Sequence, residues 1–309
     1  WESRIGTREI HLVSRIEPLT GLESAVTGGT LSVSVLNSSS QPVSNAQVVI
    51  TNAATSPAVN LTTYTNINGL VSLIGTPAAA GYSVVVTKSG YSTAQTYSAS
   101  GQNTNPAPAN LTVSSGQTTS STFAIDQLSS LTLITLAYGT ANPITSVPIT
   151  LKGAKTIGTN PTVYKYSTSV GGTGSATTTI SSLEWDTYAM SVDPTTGYDL
   201  ASSCTAQPVA IAAGSAVTTT VYLASHTTSS LPVKVIASGT GAAIPNASVR
   251  LYRTGYDTTQ TTDACGQTFF SGLTSNTYSL SVSATGYTTF TSGTVVVGTT
   301  TTAYAVSLN

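Results

Sequence analysis

Three alternating apolar runs open at a fixed interval, on Leu31, Leu131 and Leu231, and this spacing constrains the fold more than any other feature of the chain. Each run puts apolar side chains at every second position, the period of a strand buried on one face. The same events then follow each start. A polar turn ends near Pro42, Pro143 or Pro245, and a second strand carries Val48 and Ile50, Val147 and Ile149, or Val249 and Leu251. Further on, Tyr82 precedes Gly90-Tyr91, Tyr188 precedes Gly197-Tyr198, and Tyr278 precedes Gly286-Tyr287. A Thr-rich strand holding Phe123, Tyr222 or Tyr304 closes each copy. One repeat is about a hundred residues, longer than a solenoid unit and of ordinary domain size.

The repeat divides the chain into an N-terminal segment and joint at 1–29 and three units at 30–126, 127–228 and 229–309. Every unit reads as seven or so short strands separated by turn signals, the sequence habit of an antiparallel β-sandwich, so the fold class is all-β. The first unit carries an added polar loop between Ser98 and Gly116, and the second has a glycine run at Gly171, Gly172 and Gly174.

Only 7% of the residues are charged and the net charge is -1, so no basic field exists to hold nucleic acid or an anionic lipid surface. A disordered Ser/Thr stalk is excluded by regular apolar alternation in a chain that is 39% hydrophobic. Ser and Thr dominate while Lys and Glu are scarce, a balance associated with secreted and cell-surface proteins. No run of eighteen apolar residues occurs, and membrane contact is expected only through an upstream segment removed before Trp1.

Two cysteines are present, Cys204 late in the second unit and Cys265 in a turn of the third. In an oxidising compartment a bridge between them would staple one unit to the next, and the alternative is two unrelated buried thiols. Both follow polar, turn-like sequence, which favours the bridge.

Residues 1–23 differ from the rest and hold seven of the 21 charged side chains. As a helix, this segment gathers Trp1, Ile5, Leu12, Ile16 and Leu19 into one apolar stripe that Pro18 bends or ends, an assembly or anchor face. As a strand, Ile10, Leu12, Ser14 and Ile16 alternate with polar neighbours. The helix accommodates more of the residues.

Residues 262–287, TDACGQTFFSGLTSNTYSLSVSATGY, resemble the carboxypeptidase regulatory-like family in their Thr-Asp-x-x-Gly turn, aromatic strand, Gly-Leu, Tyr and final Gly-Tyr. On physical grounds Asp263 and Gly266 form a hairpin turn, Phe269 faces inward, and Tyr278 and Tyr287 cap the core. Residues 66–91 fit the same frame around Asn68-Gly69, and the second unit fits least well. The resemblance implies prealbumin-like seven-stranded sandwiches, a fold that serves as stalk, spacer, adhesin module or accessory domain. The N-terminal segment in front of an all-β head resembles the lower half of a type IV pilin or minor pilin helix, without the apolar upper half or the processing site.

Catalysis finds little material. His11 and His226 are the only histidines and read as solvated, and the carboxylates lie close only as Glu184 with Asp186 and Asp193 with Asp199. No ligand set for a metal and no cofactor motif is present. Lys234 and Asn309 fall on the first and last strands of the third unit without the buried acid that an isopeptide bond requires. Trp185 is the candidate ligand contact, for a glycan or protein surface, against the plainer role of an inter-domain aromatic. Asn37, Asn60, Asn110 and Asn246 begin glycosylation sequons. Together these features point to a non-enzymatic extracellular or cell-surface protein, a pilin-like subunit that meets its own copies or other appendage subunits through the N-terminal segment. An adhesin, or the accessory part of a secreted hydrolase, are the alternatives.

Overall fold

A computed structural model describes residues 28–205, 207–298 and 303–309. The apolar stripe of Trp1, Ile5, Leu12, Ile16 and Leu19, and the helix expected to carry it, lie outside the described residues.

The first unit comprises β1 (Gly28–Leu36), β2 (Gln47–Asn52), β3 (Val59–Tyr64), β4 (Leu70–Pro77), β5 (Ala79–Thr87), β6 (Ala94–Gln95), β7 (Leu111–Val113) and β8 (Thr118–Ala124). The second comprises β9 (Ser129–Ala137), β10 (Pro148–Gly153), β11 (Thr156–Gly158), β12 (Val163–Tyr164), β13 (Ser167–Gly171), β14 (Thr177–Leu183), β15 (Asp186–Val192), β16 (Tyr198–Ser203), β17 (Val209–Ile211) and β18 (Ala216–Ser225). The third comprises β19 (Leu231–Ala237), β20 (Ser248–Arg253), β21 (Tyr256–Thr261), β22 (Gln267–Phe270), β23 (Asn276–Ser283), β24 (Phe290–Val297) and β25 (Tyr304–Leu308). Among the described residues, seven strands thus form the third unit, and the other two carry more.

Alternation in the sequence becomes alternation of burial. On β1, Leu31, Val33 and Val35 are buried while Ser32 and Ser34 face outward, and β9 and β19 repeat the pattern. In the third unit the sheet β22-β19-β25 packs against β21-β20-β23-β24. The first unit has the same plan in β4-β1-β8 and β3-β2-β5. In every unit the opening strand runs parallel to the closing one, with Leu31 opposite Thr119, Leu131 opposite Val217 and Val233 opposite Tyr304.

The units differ in the strand that borders the second sheet. In the third unit β24 lies along β23 from Asn276 to Val282. In the first, the equivalent border is split: β6 pairs with β5 at Val85 and Val86, β7 pairs with it at Ala79 and Tyr82, and the chain between them forms the added loop. In the second, β17 borders β15 only from Asp186 to Tyr188, while β16 has crossed to the other sheet and pairs with β18. This exchange leaves Met190 and Val192 without a neighbouring strand on that side, and the Gln207 side chain accepts from the Met190 N–H at 3.3 Å. It also moves β16 to the face that meets the third unit.

Three tyrosines anchor the three cores. Tyr82, Tyr188 and Tyr278 are each at most 1% exposed. Their hydroxyls donate to the carbonyls of Pro77, Glu184 and Thr274 at 2.6, 2.8 and 3.0 Å, which satisfies the one polar atom of each buried ring. The opening turn is equally explicit. Asp263 Oδ1 accepts from the N–H groups of Cys265 and Gln267, both at 2.9 Å, and Asn66 Oδ1 does the same for Asn68 and Leu70. Gly266 closes this turn at φ +70°, where an added Cβ would lie 2.6 Å from the Val235 carbonyl oxygen.

Two expectations for the third core are corrected. Register places Phe270 opposite Leu231 and inside the core, so Phe269, one residue away, points to the other side of the sheet. Tyr287 stands 37% exposed on the turn before β24 and caps nothing.

Candidate functional site

Several of the residues with chemical character gather where units meet. Between the first and second units, the loop from 96 to 110 reaches the β11–β12 hairpin and bonds to it through the main chain. Ala107 N–H donates to the Ile157 carbonyl at 2.9 Å, and Thr159 N–H donates to the Asn105 carbonyl at 3.0 Å. Asn103, 7% exposed, donates from Nδ2 to the same Ile157 carbonyl at 2.8 Å. A loop that looked like a solvated insertion is therefore an intramolecular clamp.

Beside it lies a compact charge cluster. Glu184 bridges Lys155 at 2.7 Å and Lys165 at 2.5 Å, and Lys165 Nζ also donates to the Thr93 carbonyl of the first unit at 2.7 Å. The Lys155 ammonium sits 3.2 Å from the centroid of the Trp185 ring, and its backbone N–H donates to Asp186 Oδ2 at 3.0 Å. Burial holds the Lys155 amine below its ordinary range, with Glu184 pulling the other way. Burial, and then the charge of Glu184, push the Tyr97 hydroxyl up. Trp185 is half-buried and packs in this joint with one face taken by Lys155, the place of an inter-domain aromatic.

The second joint is covalent. Cys204 and Cys265 form a disulfide that links the second unit to the third. Around it, Gln267 Oε1 accepts from Ser203 N–H at 3.1 Å, and Gln267 Nε2 donates back to the Ser203 carbonyl at 2.5 Å. Ser202 Oγ donates to Asp263 Oδ2 at 2.7 Å, so the turn carboxylate of the third unit also holds its neighbour. Phe269 finds its burial here, edge-on to Tyr138 at 6.0 Å, and its N–H donates to the Tyr138 hydroxyl at 3.1 Å. A cleft of about 360 Å³ runs alongside, between Met190 and Leu200 on one side and Val233 and Lys234 on the other.

Other candidates resolve into structural roles. His226 is not a free solvated side chain: its Nδ1 lies 2.8 Å from the buried carboxylate of Asp199, which also accepts from Thr227 N–H at 3.1 Å. Asp193 accepts from the Thr195 N–H and hydroxyl at the start of a short 3-10 turn, bonds that hold its carboxyl below the ordinary value. Lys234 lies across from Ala305 and makes no ion pair among the described residues. Of the sequon asparagines, Asn60 and Asn246 are exposed, whereas Asn37 caps its own turn and Asn110 donates to Ser98 Oγ. Among the described residues no group of His, Cys, Asp and Glu could hold a metal ion, and no helix is long and apolar enough to cross a membrane.

What the molecule defines is a tandem array of β-sandwiches whose neighbours are bonded at the joints. The carboxypeptidase regulatory-like domain family matches residues 30–126 and 230–309, and the chain belongs to that family. The stretch between them is the unit with the glycine opening turn and the displaced outer strand. No curated protein sequence matches the chain. Among solved structures it is similar to the Bacillus anthracis TIE protein, at 15% identity over 92% of this chain and 51% of that one, with a TM-score of 0.27. The chain thus spans about half the length of that protein. It is also similar to a streptococcal ancillary pilin, at 13% identity over 91% of this chain and 98% of that one, TM-score 0.25. A third likeness is to the minor pilin of Streptococcus agalactiae, at 12% identity over 64% and 96%, TM-score 0.28.

Proposed function

We propose that the chain is a non-enzymatic structural subunit of an extracellular or cell-surface appendage, pilus-like in kind. Its three units fall at 30–126, 127–228 and 229–309, and residues 1–23 carry the face that engages copies of itself or other subunits. One observation carries the reading: both joints are held by specific bonds, the first by the loop from 96 to 110 and the Lys165 ammonium, the second by the Cys204–Cys265 bridge with Ser202, Ser203, Asp263 and Gln267. A protein that works by reach and stiffness needs fixed joints, whereas an enzyme needs an unspent nucleophile, acid or base in a cleft. The bridge between exposed Cys204 and half-buried Cys265 accords with an oxidising compartment.

The adhesin alternative is weakened at its main candidate, because Lys155 already takes one face of the Trp185 ring. Deleting residues 1–23 tests the proposal. Assembly or surface anchoring should be lost while the three units keep their thermal unfolding, and unchanged assembly would reject the role given to the N-terminal segment.

A further inference from the structure

Register shows that the first unit presents, uncovered among the described residues, the face by which the third unit meets its predecessor. Leu31 pairs with Leu73 and Leu231 with Phe270. Counted from these pairs, Asn66, Asn68, Leu70 and Ser72 stand where Asp263, Cys265, Gln267 and Phe269 stand in the third unit. The second unit closes that face in the third, through the disulfide, the Ser203 and Ser202 bonds and the Tyr138 ring.

In the first unit no described residue covers the same face, and three of its positions are more apolar, while Asn68 and Ser72 stand where Cys265 and Phe269 do. Ile67, 85% exposed, replaces Ala264; Ile74, 86% exposed, replaces Ser271; Leu70, 41% exposed, replaces Gln267. The strip from Asn66 to Pro77 holds no charged residue, and Ser32 and Ser34 flank it on β1. Little desolvation would oppose its burial, and an exposed strip of this kind marks an interaction surface. At the far end of the chain the third unit exposes Tyr287 at 37% and Val296 at 73%.

We infer that the outer face of β4 docks a second copy of this chain, head to tail, with the partner's third unit standing where the second unit stands against the third within one chain. Such a contact is heterologous, and repeated it yields an open filament. The inference rests on the structural-subunit reading and adds to residues 1–23 a second surface through which subunits stack.

Sedimentation velocity of the full chain across a concentration series tests it. Wild type should associate, and Ile67→Asp with Ile74→Asp should weaken association about tenfold or more. Ile67→Asp alone, on a turn with no packing to lose, should act in the same direction if the double variant folds poorly. A folded variant that associates like wild type overturns the docking face and leaves the subunit reading standing. A wild-type chain that stays monomeric throughout overturns both. Footprinting that finds Ile67 and Ile74 protected in the monomer, and exposed once residues 1–27 are removed, assigns the face to the chain's own segment and also overturns the inference.

Discussion

Tyr188 shows how one side chain ties a core to a joint. Its ring fills the second core, edge-on to Tyr166 at 5.6 Å, and its hydroxyl fixes the carbonyl of Glu184, the residue whose carboxylate gathers both joint lysines. Tyr188→Phe keeps the packing and removes the bond. It should lower stability by about 1 kcal/mol in urea unfolding, with the joint loosened as well. Asp126, at the end of the first unit, plays a smaller part. Partial burial works against its charge, yet the side chain and N–H of Ser38 and the N–H of Gln127 hold the carboxyl below its ordinary value. The folded state therefore favours the ionised form, and its stabilisation is present above about pH 4 and drains away as pH falls through the lowered value. Solvent screens this half-exposed group, so the effect stays below about 1 kcal/mol. Acid titration of unfolding midpoints should show a shallower fall below pH 4 in Asp126→Asn than in wild type.

Elements show the same division between strands that build a unit and strands that join one. Cys204 follows β16 and Cys265 sits in the turn before β22, and the bridge closes a separation of 61 residues. In the chain-entropy model such a loop stabilises by roughly 4 kcal/mol. Cys204→Ser with Cys265→Ser should therefore lower the unfolding midpoint of the third unit and leave the first unit unmoved, as differential scanning calorimetry can resolve. The strands themselves were legible because alternation is local: Leu31, Leu131 and Leu231 each announce a strand with one buried face. The bridge was legible as one of two options. The joints were not, since they depend on which outward face meets a neighbour. A signal existed in Phe269-Phe270, where two consecutive aromatics break the period of 2 and mean that both faces of β22 are buried. Tyr138, in a polar turn, was its unseen partner. The loop from 96 to 110 misled for a related reason, because Asn103 and Asn105 are polar for the sake of a neighbouring hairpin rather than for water.

Across the whole molecule the two joints differ in kind, which sets up a contrast that mutation can expose. The second joint is locked by a covalent bond, while the first is held by hydrogen bonds, among them that of Lys165 to the Thr93 carbonyl, and Glu184 holds Lys165 and Lys155 in place from within the second unit. Removing the acid leaves two half-buried like charges without their counter-ion, and breaking such a cluster is destabilising by a few kcal/mol where the groups are shielded from water, less where they are not. Removing Lys155 is a different act. Burial already holds that amine below its ordinary range, so its charge is a net burden on the fold, and the burden lifts only as pH rises through the lowered value toward the ordinary lysine range. Lys155→Met keeps the apolar stem against Trp185 and leaves Glu184 its pair with Lys165. Glu184→Gln should therefore broaden the distribution of distances between the first and third units, measured by spin labels on each, whereas Lys155→Met should leave it narrow. Distances between the second and third units should not change in either variant. Equal broadening by both substitutions would mean that the cation over Trp185, and not the acid between the lysines, holds the first joint.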